Sequence, residues 1–271
     1  MFRSLVLVFV LFISTQTFSQ NVGQVGDSLI NYTDINGNRQ GFWKKQFPNG
    51  KTKYEGYFRN NFPVGIFKRY YDTGKLKAEL KYDFDGITAR TKIFYKSGKL
   101  AADGKYINEK KDSTWNYYLE SGFKIYVENY KNGIRDGVTS KYFSSSKNKC
   151  EEITYKEGEM HGEWIHYFEN GTKKMLANNS DGIRNGVFYA YYPTGSMRIQ
   201  GFYKDGLKEG KWTFFNEDGR INKSLEFVKN IATNQDELDL EFSKEINEIE
   251  NNKLRYEEPE KQIMKIIEGM Y

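Results

Sequence analysis

The chain is 271 residues long with a formal net charge of +5, and only 38% of it is hydrophobic, too little for a large globular core. Its apolar content is skewed toward rings (21 Tyr, 20 Phe and 4 Trp), and 25 Gly against 4 Pro point to many tight turns between strands. A single Cys excludes an intrachain disulfide, and two His beside one thiol do not make a zinc set.

The first segment reads as a signal peptide over 1–19. Arg3 supplies the positive start, Leu5 to Ile13 the apolar run, and Thr17 and Ser19 the small residues before a new N-terminus at Gln20. The apolar run is too short to span a bilayer, no later segment approaches that length, and no Cys follows it as a lipid-anchor site. The expectation is an exported protein, periplasmic or secreted, which also takes it away from nucleic acid. Residues 20–40 then form a lead with a half-unit, marked by the Asn36-Gly37 turn.

From 41 to 230 the sequence repeats. Gly41, Gly65, Ala89, Ser113, Gly137, Gly162, Gly186 and Gly210 recur every 24 residues, with one step of 25 before Gly162. Nine residues after each stand Gly50, Gly74, Gly98, Gly122, Ser146, Gly171, Gly195 and Gly219, preceded by turn formers such as Asn49, Asn170 and Asp218. Asn-Gly and Asp-Gly at these positions predict type I′ hairpin turns, in which both central residues have positive φ. A second turn recurs late in each unit, at Asn132-Gly133, Glu157-Gly158, Asp181-Gly182 and Asp205-Gly206. Two turns per unit leave two strands of seven or eight residues.

Rings hold fixed slots in the units. Trp43, Phe67, Trp115, Trp164, Phe188 and Trp212 lie two residues past the unit start, while Tyr70, Phe94, Tyr118, Tyr142, Tyr167, Tyr191 and Phe215 lie on the opposite strand face. Stacked unit on unit, these become aromatic ladders, read first as core and second as a platform for stacking a ligand.

The segments Tyr203–Trp212, Tyr155–Trp164 and Tyr130–Gly137 resemble MORN repeats of the bacterial variant type, and the resemblance extends over about residues 29–230. It implies successive hairpins in one elongated sheet, and roles in scaffolding, membrane association or protein binding. The chain also resembles the bacterial YwqK-type antitoxin-like family, which implies neutralisation of a partner toxin by binding it. No catalytic residues come with either resemblance. The chain departs from the pattern at Ala89 and Ser113, which replace unit-start glycines, and at Thr91 and Thr139, which replace rings. The fifth unit departs most. There Ser144, Ser145, Ser146, Lys147, Asn148, Lys149 and Cys150 replace the tight turn and add a residue, making this segment the candidate partner-contact loop.

After Phe227 the composition turns acidic. Leu238, Phe242, Ile246 and Ile249, then Ile263, Ile266, Ile267 and Met270 after Pro259, predict amphipathic helices over 231–271 that cap the last strand edge. No catalytic triad, metal set or phosphate loop is legible, so no catalytic, cofactor or metal residues are assigned. The expected fold is all-β, an elongated antiparallel single-sheet meander of about eight 24-residue β-hairpin units with a helical tail. The expected function is a non-enzymatic protein-binding module of antitoxin, immunity or scaffold type, with a toxin or envelope protein as partner. The alternative is an envelope glycan- or lipid-binding module that uses the aromatic ladders and basic side chains.

Overall fold

The computed structural model describes residues 23–25, 28–233 and 246. The first four units pair Arg39–Gln46 with Thr52–Arg59, Phe62–Tyr70 with Leu76–Tyr82, Thr88–Phe94 with Leu100–Ile107, and Lys110–Tyr118 with Lys124–Lys131. The fifth splits its first strand into Ile134–Arg135 and Gly137–Tyr142 before Lys149–Lys156. The last three pair Glu159–Tyr167 with Lys173–Ser180, Ile183–Tyr191 with Met197–Lys204, and Leu207–Phe215 with Ile221–Val228. Every unit strand pairs antiparallel with the strand before and after it, giving the expected open meander. Ahead of the array, Tyr32–Thr33 pairs with the first unit strand, as a half-unit should, and Ile30 makes a parallel bridge to Phe42.

Two kinds of turn alternate along the meander, and their assignment corrects the reading from sequence. At the tips, which close each unit, Gly50 has φ +79° and Asn49 does not have positive φ. The Gly50 N–H donates to the Phe47 carbonyl at 2.9 Å, and the Phe47 N–H to the Lys51 carbonyl at 2.8 Å. This is a three-residue loop, a type I turn followed by a left-handed Gly, and not type I′. The pairing slips by one residue beside it, between Lys45 and Gln46, as such a bulge requires. The type I′ geometry occurs instead at the opposite rim, between units, where Asp181 and Gly182 have φ 51° and 79°, and Asp205 and Gly206 have φ 51° and 80°. Each rim turn is tied to its neighbour. The Gly206 N–H donates to the Arg184 carbonyl at 2.8 Å and the Gly182 N–H to the Met160 carbonyl at 2.9 Å.

The unit-start glycine serves a third purpose. Tyr57 pairs with Val64 and Glu55 with Lys68, so Gly65, Ile66 and Phe67 together face Gly56. This wide bulge puts Gly65 at φ +67°. Ser113 replaces the glycine with its own φ at 59°, keeping the bulge. Ala89 does not: the pairing from Ala78 with Ile93 to Tyr82 with Ala89 is uninterrupted. Here the rim turn widens instead into Asp83–Ile87, closed by the Gly86 N–H donating to the Asp83 carbonyl at 3.1 Å. The surplus residues have moved from bulge to loop, and the period is unchanged.

One face of the sheet is buried. On it, four of the rings past the bulge lie across a small residue of the preceding strand: Phe67 on Gly56, Trp115 on Gly104, Phe188 on Ala177, Trp212 on Gly201. A methyl group built on Gly104 would lie 2.6 Å from Trp115 Cγ, inside the ring's van der Waals envelope. Where the ring is missing, the partner is large: Leu80 beside Thr91, and Glu128 two residues on from Tyr126 in the strand facing Thr139's own. Trp164 pairs with Ile153 and remains only partly buried, whereas Trp115 and Trp212 are 0% exposed. The buried face therefore holds two apolar cores, one from Phe58 to Tyr126 and one from Met175 to Ala232.

The helical tail expected over 231–271 lies outside the described residues except at its start and at Ile246. Ile231–Ala232 is a short strand closing a last rim turn, so the sheet runs past the expected boundary. Ile246 is helical and buried against the second core. The signal segment over 1–19 also lies outside the described residues.

Candidate binding surface

The loop singled out from sequence is a tip turn lengthened by one residue. Phe143 donates its N–H to the Asn148 carbonyl at 2.9 Å, and Lys147 donates to the Phe143 carbonyl at 3.0 Å. Lys147 takes the left-handed position, φ 64°, that Gly holds at the other tips. The loop is tied to the next tip, with Ser145 Oγ 2.6 Å from Glu169 Oε1 and Asn148 Nδ2 2.7 Å from the Glu169 carbonyl. Asn49 and Asn170 make the same kind of bond to Asp72 and Pro193. Ser144 to Lys149 are exposed, but Cys150 is 2% exposed and its side chain is not part of that surface. It occupies the bulge position beside the tip, as do buried Ala101 and Ile125 in the two units before, and burial pushes its thiol up to about 12.

Between the two cores the buried face turns polar. Glu128 accepts hydrogen bonds from Tyr117 at 2.6 Å, from Tyr130 at 2.7 Å and from Arg135 Nε at 2.8 Å. Burial alone would raise its pKa, but the tyrosine hydroxyls and the Arg135 and Lys111 charges outweigh that and hold the carboxyl below its ordinary value. One unit on, Glu151 meets Lys141 at 3.0 Å and the Trp164 indole N–H at 2.9 Å, with His166 Nε2 at 3.4 Å. Burial pushes the His166 imidazole below its ordinary value, against the opposing pull of Glu151. His161 lies within Glu159–Tyr167 and faces Asp181 at 3.3 Å. Among the described residues no three His, Cys, Asp or Glu side chains are grouped to hold a metal ion. The Glu128 and Glu151 carboxylates are thus paired within the seam between the cores, while His166 Nε2 is buried there without a hydrogen-bond partner.

The aromatic ladders are core. The ring row on the opposite face is half-buried, and three of its hydroxyls are tied to carboxylates across the strands, Tyr70 to Glu55, Tyr118 to Asp103 and Tyr167 to Glu152.

What remains open is apolar surface that the sequence reading did not single out. On the outer face near the type I′ rim, Ile183, Phe202, Leu207, Val228 and Ile231 are all exposed, Ile231 at 68%. The pairs Lys204 with Leu207 and Val228 with Ile231 set these side chains on adjoining strands of one face. Exposed Tyr57, Phe62 and Ile66 make a similar cluster at the other end, with the half-buried Phe42 ring 5.2 Å from that of Tyr57. The signal was present in the sequence: Phe62, Ile134, Ile183 and Leu207 each stand three residues before a unit start. Nothing local told which strand face would be covered.

Three segments of the array match the MORN repeat variant: residues 63–83, 160–178 and 184–205. Each MORN match begins in the strand just past a rim turn and runs through a tip, so the matched unit is the hairpin seen here. No curated protein matches the chain. Among the described residues no helix is long and apolar enough to cross a membrane.

Proposed function

We propose that this protein is a non-enzymatic protein-binding module, and that the outer-face apolar surface near the rim is where it binds. The observation that carries the reading is the cluster Ile183, Phe202, Leu207, Val228 and Ile231, exposed together on strands whose other face is filled by the second core. Contiguous apolar side chains on an otherwise polar repeat scaffold are the mark of a protein interface. The expected export to the envelope supplies the setting, and a toxin or envelope protein is the partner proposed. An antitoxin or immunity role is one form such binding takes. The Ser144–Lys149 tip is a second contact element on the same scaffold. Glycan stacking is the weaker reading, because the rings it would need are buried or half-buried.

The test uses the mature chain, its Phe202→Asp/Ile231→Asp variant, and a variant with Ser144–Lys147 replaced by Pro-Asn-Gly. A protein recovered from native envelope extract by the wild type is purified and its affinity measured for all three. Loss of at least tenfold in the apolar variant, with circular dichroism unchanged, is expected. Equal affinity for wild type and both variants refutes the proposed surface.

A further inference from the structure

A cavity of about 390 Å³ opens on the buried face of the sheet at the rim of the second and third units. Its origin lies in two departures from the repeat. In most units a cation two residues before the unit start lies across a ring. Arg39 Cζ is 4.0 Å from the Phe58 centroid, Lys111 Nζ 5.2 Å from Trp115, Arg184 Cζ 5.1 Å from Trp164 and Lys208 Nζ 5.5 Å from Trp212. In the second and third units that place is taken by Pro63 and Ile87, and the third unit has Thr91 where a ring would stand. With both the cover and the ring missing, a hollow is left whose walls include Leu80, Tyr82 and Tyr106.

Arg69 also lines this hollow. Among the described residues it forms no ion pair; its guanidinium lies 5.8 Å from the Phe67 ring. Its charged neighbour is Lys77, whose ammonium is held below its ordinary value first by burial and then by Arg69. Arg69 thus brings a positive charge to the lining. Asn108 and Glu109 also line the hollow, from a rim turn in which they have φ 50° and 62°. One Arg and one carboxylate in the lining suit a ligand of single negative charge and disfavour a dianion.

We propose that this hollow binds an apolar monocarboxylate, the carboxylate on Arg69 and the apolar part against Leu80, Tyr82 and Tyr106. Its volume falls in the range of about 300–1,000 Å³ typical of small-ligand sites. A free aromatic or aliphatic acid and the C-terminal residue of a protein share this chemistry. The site is on the opposite face from the apolar surface proposed for protein binding and stands independently of it.

Titration calorimetry on the mature chain tests this with 3-phenylpropionate, 3-phenylpropanamide, and the peptide Gly-Ser-Gly-Phe with a free or an amidated C-terminus. The acid is expected to bind at least tenfold more tightly than its amide. Arg69→Met should remove that preference, and Leu80→Trp, which puts a ring into the hollow, should abolish binding of both. A free-terminus peptide binding more tightly than the acid identifies a protein terminus as the source; equal or weaker binding identifies a free acid. No binding of either acid or peptide, or Arg69→Met binding the acid as wild type does, overturns the proposal.

Discussion

The pairing of ring and glycine across the buried face predicts a size-coupled double mutant. A Cβ on Gly104 would sit 2.6 Å from Trp115 Cγ, and the indole is 0% exposed, so it has no free volume into which to retreat. Gly104→Leu should therefore cost about 3 kcal/mol, the upper end of ordinary overpacking. Trp115→Thr should cost about 3–5 kcal/mol through the cavity it leaves. Together, however, the two changes copy the Leu80 and Thr91 pair already present one unit earlier. The double mutant should be more stable than the sum of the singles by about 1–3 kcal/mol. Urea unfolding followed by far-ultraviolet circular dichroism, with the m-value held constant, measures all three differences. Additivity within about 0.5 kcal/mol would refute the reasoning, because it would mean that leucine does not occupy the space the indole vacates.

Gly171, with φ +87°, should lose about 1–3 kcal/mol on Gly171→Val, measured by urea unfolding, while Asn170→Val at the ordinary φ beside it costs less. Glu128→Leu should cost about 3–5 kcal/mol in the same assay, since it leaves the Arg135 charge in a half-buried site without its carboxylate. His166 has a folded-state pKa below its unfolded value, so its contribution to stability is full above about pH 6.5 and is lost as pH falls below it. Unfolding midpoints measured from pH 7 to pH 5 should therefore fall less steeply in His166→Gln than in the wild type. Replacing Ser144–Lys147 by Pro-Asn-Gly should leave the unfolding midpoint nearly unchanged, because it restores the tip loop seen at Phe47–Lys51.

The period, the strand count per unit and the all-β class were legible in the chain because turns are local: a glycine at fixed spacing reports a backbone conformation wherever the strand goes. The same locality misled at the tips. Asn-Gly suits both type I′ and the last two positions of a type I turn with a left-handed glycine, and loop length, set by the bond between Phe47 and Lys51, decides between them. Alternation likewise divided each strand into two faces without telling which would be covered. That choice belongs to contacts between neighbouring strands. Gly104 and Trp115, eleven residues apart, are read separately as a strand glycine and a ring until the sheet lays one on the other. The two cores, the charged seam around Glu128 and Glu151, and the hollow beside Arg69 all follow from which rings and small residues meet, strand by strand. A linear pattern records composition along the chain, but volume is filled across it, and only the folded sheet decides where the filling succeeds and where it leaves a space.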